Sequence, residues 1–80
     1  MMTLENLTDV DRAEALFASW LPGGGAIPPD ALDAAIAAAL HSHGGVAGCA
    51  GEVAAAYGEN PTYAAERMRW ALGVLRQARP

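Results

Sequence analysis

Residues 52–72 read EVAAAYGENPTYAAERMRWAL, and this stretch decides the fold class. Val53, Ala54 and Tyr57 recur at the spacing of one helix face. Gly58 breaks the run, and Asn60 before Pro61 is a start signal. Asn60 offers a side-chain acceptor to the first free N–H groups, and proline is tolerated where no N–H is needed. The pattern predicts one helix ending at Gly58 and a second from Pro61 to about Ala78. In the second, Ala64, Met68, Ala71 and Leu75 form the core stripe, with Leu72 on its border. Glu66, Arg69, Gly73 and Gln77 lie away from that stripe. Trp70 falls on the flank beside Gln77, and Arg67 on the opposite border from Arg69.

Upstream the same logic gives two more helices and a joint. Val46, Cys49, Ala50, Val53, Ala54 and Tyr57 define a third helix from Val46 to Tyr57. Gly48 and Gly51 each weaken it by ~1 kcal/mol relative to alanine, so close helix approach or room for a partner is expected there. Leu32, Ala35, Ile36, Ala39 and Leu40 define a second helix, opened by Pro29 and stopped by Gly44. The segment PGGGAIPP (22–29) reads as a flexible joint. Before it, Thr8 or Asp9 caps a first helix over 9–21, with Val10, Ala13, Leu16, Phe17, Trp20 and Leu21 as its apolar stripe. No strand pattern is present. The expected fold is all-α, one small four-helix domain over residues 1–80 with a helix-turn-helix-like C-terminal half. It comprises an N-terminal helix (9–21), a flexible joint (22–28) and a three-helix unit (29–79).

The totals limit what such a domain can be. Eighty residues make a single domain, and although 52% are hydrophobic, much of that is alanine, which buries little area. A thin Ala-rich core favours completion against a partner. Nine Asp and Glu against five Arg and no Lys give a net charge of −4, which opposes a phosphate backbone unless the cations are segregated. Residues 52–80 do carry a net +1, from Glu52, Glu59 and Glu66 against Arg67, Arg69, Arg76 and Arg79. The lone Cys49 can form no intrachain disulfide and suits a buried thiol in a reducing compartment. The N-terminal stretch lacks a secretory pattern and the apolar run AAIAAAL (34–40) is too short to span a bilayer, so a cytoplasmic location is expected and no membrane association.

No catalytic, cofactor-binding or metal-binding residues emerge. His41 and His43 project from nearly opposite sides of a helix, so they chelate poorly, and they suit the negative end of a helix dipole. Cys49 lacks a placed base and an orienting group for nucleophilic work. GGVAG (44–48) has neither a preceding strand nor a full glycine fingerprint. Asp30 and Asp33 are explained by helix capping.

Two resemblances bear on function. EVAAAYGENPTYAAERMRWALGVLR resembles the C-terminal DNA-binding region of bacterial sigma factors: Glu52, Val53 and Ala54 match its acidic–aliphatic–alanine start, Gly58 its turn, and Arg67, Arg69, Ala71, Leu72, Leu75 and Arg76 its second helix. The groove-facing start here is Tyr63, Ala64, Ala65 and Glu66, which offers little hydrogen-bond readout. Over most of the chain, EALFASWLP and HGGVAGCAGEVAAAYGENPTYAAERMRWAL resemble short actinobacterial helical proteins of the kind that includes the small subunits of cyclodipeptide oxidases. That resemblance implies a larger, nitroreductase-like flavoenzyme partner holding FMN, assembly into hetero-oligomers or filaments, and action on cyclic dipeptides. No cofactor is expected on this chain alone. WLPGGGAIPP departs from that family's joint region.

The sequence thus supports a protein-binding subunit, with a DNA-binding regulator as the alternative. Aromatic and arginine side chains are the usual interface anchors, and the partner-binding candidates are Trp20, Arg67, Arg69, Trp70, Val74 and Arg76. Core packing is the competing reading for Trp20, from its stripe position; for Trp70 the two readings stand level.

Overall fold

The computed structural model describes residues 6–25 and 27–78. It contains α1 (Asp9–Ala18), α2 (Pro29–His43), α3 (Val46–Glu59) and α4 (Pro61–Ala78), with no strand among the described residues. Ala26 of the expected joint and Arg79, the expected last residue of the C-terminal unit, lie outside the described residues.

The N-terminal cap of α1 is Thr8. Its Oγ1 accepts from the Asp11 N–H at 3.0 Å, and Asp11 Oδ2 accepts from the Thr8 N–H at 3.1 Å. Two otherwise orphaned donors are satisfied reciprocally. The helix ends at Ala18, short of the expected Leu21, because Ser19 turns extended (φ −75°, ψ 168°). Its hydroxyl donates to the Leu16 carbonyl at 2.6 Å, and Oγ accepts from the Leu21 N–H at 3.3 Å. Ser19 thereby offers the backbone an alternative to another helical turn.

A Gly44–Gly45 reversal (φ 79° and 97°) joins α2 to α3, a conformation that side chains other than glycine rarely adopt. Three residues on, a Cβ on Gly48 would overlap the His43 carbonyl. Close approach at that glycine is therefore realised. At Gly51 nothing lies nearby.

Gly58 does not end α3, which continues to Glu59. Asn60 closes it and opens α4: its N–H donates to the Ala56 carbonyl at 2.8 Å, and its Oδ1 accepts from the Tyr63 N–H at 3.1 Å. The helix outlasts the glycine because Gly58 keeps negative φ, and the asparagine supplies both caps.

The core is built around α1, which packs against α2, α3 and α4. Leu16, Ala15, Ile36, Ala35, Ala39, Cys49 and Ala71 form its centre, and Phe17, Val53 and Ala64 a second cluster. Among the described residues only Leu16, Ile36 and Cys49 are fully enclosed and larger than alanine, so the core is thin, as alanine content requires. Fully buried Ala15 was not in the expected α1 stripe: a helix flanked by three neighbours buries more than one narrow face. Val10, which was in that stripe, is 64% exposed in the first turn.

Candidate functional site

The early end of α1 shapes an open cleft. With the backbone extended at Ser19, Trp20 leaves the helical register and stands 73% exposed, while Leu21 turns inward and is buried. The core-packing expectation for Trp20 is overturned, because its stripe position held only if the helix continued. Pro22 and Gly23 then pass in front of α4, where a Cβ on Gly23 would lie 3.9 Å from Trp70 Cγ.

The facing wall is the first half of α4. Tyr63, Glu66, Arg67 and Trp70 recur at the spacing that places them on one side of a helix. Together with Ser19, Trp20, Leu21, Pro22 and Gly23 they line a cleft of about 560 Å³. Tyr63 is 53% exposed at this cleft, whereas Trp70 is half-buried and packs against the core. The Trp70 indole N–H is buried and has no hydrogen-bond partner among the described residues.

Arg67 faces inward. Its Nε donates to the Phe17 carbonyl at 3.1 Å, and Nη2 donates to those of Ser19 at 3.0 Å and Leu16 at 3.4 Å. These carbonyls lie at the negative end of α1, whose last turn carries no basic residue of its own; that of Leu16 also accepts from Ser19. The guanidinium also stacks on Trp70, with Cζ 4.3 Å from the ring centroid. Burial lowers its pKa from the ordinary arginine value, and the nearby Tyr63 phenol opposes that shift. The Ala18 carbonyl is met by His43 Nε2 at 3.1 Å. The other ring nitrogen, Nδ1, lies 3.3 Å from Glu52 Oε1. His43 therefore ties the ends of α1 and α2 to α3.

The six partner-binding candidates are thus not one surface. Trp20, Arg67 and Trp70 meet in the cleft. Val74 is half-buried and lines a separate crevice with Ile27 and Gln77. Arg76 lines a third with Asp9, Leu72 and Leu75, and Arg69 is exposed outside all of these. Tyr63 and Glu66 were missed as partners of Trp20. Their i, i+3, i+7 spacing with Trp70 was visible, but Trp20 joins them only through the Ser19 turn.

Elsewhere Cys49 is buried, with its thiol donating to the Ala39 carbonyl at 3.6 Å. Burial, then the carboxylates of Glu14 and Glu52, raise its pKa, which disfavours the nucleophilic thiolate. Among the described residues no group of three or more His, Cys, Asp and Glu is placed to hold a metal ion, and no helix is long and apolar enough to cross a membrane. Comparison with known protein families, curated proteins and solved structures finds no match.

Proposed function

We propose that this chain is a non-catalytic helical subunit that docks a larger protein through the cleft formed by Trp20, Tyr63 and Trp70. The observation that carries this reading is the exposure of Trp20. A domain with so thin a core leaves one of its two tryptophans 73% in water, although burying such a ring is worth about 1.5–3 kcal/mol. That stabilisation is available on association, and tryptophan, tyrosine and arginine are the side chains that most often dominate interfaces.

The resemblance of the chain to the small subunits of cyclodipeptide oxidases supplies the partner class. In that assembly FMN and the oxidation of cyclic dipeptides belong to a nitroreductase-like large subunit in the cytoplasm. The small helical chain contributes contacts that build the hetero-oligomer or filament. A helix-turn-helix regulator on DNA is the competing proposal. It relies on Arg69 and Arg76, since Arg67 donates to the end of α1.

Co-expression with a flavoenzyme large subunit from the same gene neighbourhood tests the proposal. The expected result is a stable complex with bound flavin absorbance, lost on Trp20→Ala while circular dichroism stays helical. Absence of a complex, together with salt-dependent binding of duplex DNA that Arg69→Ala and Arg76→Ala weaken, would replace it with the regulator.

A further inference from the structure

The cleft contains one cation and one anion, and their surroundings differ. Arg67 spends three N–H contacts on the carbonyls of Leu16, Phe17 and Ser19, the negative end of the α1 dipole, and its plane lies on Trp70. It keeps its charge, but the Nε and Nη2 donors point inward onto backbone carbonyls and the group is half-buried. Glu66 is exposed, lines the same cleft, and makes no ion pair with any described residue. The two formal charges cancel, but the one exposed at the mouth of the cleft is the Glu66 carboxylate, in a chain whose net charge is −4.

The aromatic walls point the same way. An aromatic ring face attracts cations through its quadrupole. Trp70 already uses its face on Arg67, which leaves Trp20 and Tyr63 with open rings at 73% and 53% exposure. Exposed aromatic faces beside an unpaired carboxylate favour a positively charged occupant with an apolar stem. An acidic group would meet Glu66 and compete with three carbonyls for Arg67.

We infer that the cleft receives an arginine or lysine side chain of the partner protein, its charge paired with Glu66 and its stem laid against Trp20 and Tyr63. This rests on the docking role proposed above and adds the chemistry that the partner must present.

Isotope-edited NMR titration of the full chain tests it, read at the indole N–H signals of Trp20 and Trp70. The probe is the blocked peptide acetyl-Gly-Arg-Gly-amide, compared with its neutral citrulline isostere and with acetyl-Gly-Glu-Gly-amide. The arginine peptide is expected to shift the Trp20 signal saturably, and the other two to leave it unmoved. Glu66→Gln should weaken binding about three- to fivefold, the scale of an exposed ion pair, and Trp20→Ala should abolish it. Equal binding of the citrulline peptide, full affinity in Glu66→Gln with its spectrum otherwise unchanged, or preference for the acidic peptide would overturn the inference. The two proposals fail separately. A partner complex that needs Trp20 but ignores Glu66→Gln keeps docking and removes the cation site. Selective arginine-peptide binding without any protein complex keeps the cation site and removes the subunit role.

Discussion

Arg67 Nε donates to the carbonyl of Phe17 at 3.1 Å, across 50 residues of sequence, so the last helix of the chain caps the first. Hydrogen bonds from a charged donor contribute about 1.5–3 kcal/mol where the acceptor would otherwise be unpaired. Arg67→Ala is expected to destabilise the fold by about 2–3 kcal/mol, lowering Tm by roughly 10 °C or more for a domain of this size. Arg67→Lys should recover only part of this, because an ammonium cannot reproduce the planar fork. Thermal and urea unfolding of the two variants measure both effects. An Arg67→Ala protein as stable as the parent would reduce the side chain to a surface handle.

Two glycines of α3 should respond oppositely to alanine. At Gly48 the added methyl overlaps the His43 carbonyl, a backbone atom that cannot swing aside, so Gly48→Ala should cost at least about 1–3 kcal/mol as overpacking. At Gly58 the helix continues with open space around the site, so Gly58→Ala should gain about 0.5–1 kcal/mol from helix propensity. Denaturant midpoints decide the pair. Destabilisation by Gly58→Ala would mean that α3 ends at the glycine after all.

The two tryptophans should separate folding from association. Trp20→Ala removes a ring that is 73% exposed and is expected to change stability by less than about 0.5 kcal/mol. Trp70→Ala removes a half-buried ring that packs on the core and supports Arg67, so a loss of about 2–4 kcal/mol is expected. Both variants are compared by thermal melts. A large Tm drop in Trp20→Ala would show that its ring is part of the folded core.

Cys49 should give stability a pH dependence on the alkaline side. Its native pKa is raised by burial and by Glu14 and Glu52, while the unfolded thiol titrates near its usual value of about 8.5. Below that value both states keep the proton and the full contribution is present. As pH rises through the window between the unfolded and native pKa values, only the unfolded chain releases its proton, so stability falls. Urea midpoints between about pH 7 and 10 should decline more steeply in the parent than in Cys49→Ala. Parallel profiles would mean that the thiol titrates alike in both states.

What the sequence made legible depended on how local each signal was. Pro29, Gly44, Asn60 and Pro61 act on their own backbone within a turn, and each places a helix boundary where it stands in the structure. The end of α1 was not legible, because Ser19 is a weak stop signal and the apolar spacing ran on through Trp20 and Leu21. That one local error hid the cleft, since Trp20 faces Tyr63 only once the helix has ended. The role of Arg67 was hidden for another reason. Its acceptors are backbone carbonyls, which every residue has, and no side-chain pattern in α1 marks them as waiting for a donor.

Ser19 also governs the timing of any encounter at Trp20. The ring stands between a residue whose hydroxyl makes two hydrogen bonds and the buried Leu21, so its backbone is held from both sides by the fold. A partner meets a backbone already in place at Trp20 and loses less affinity to loop ordering. Ser19→Gly would leave every contacting side chain intact yet lower the fraction of molecules that present Trp20 correctly, and apparent affinity would weaken by that fraction. A small subunit with few contacts to offer would then owe its grip to the readiness of one residue as much as to the area it covers.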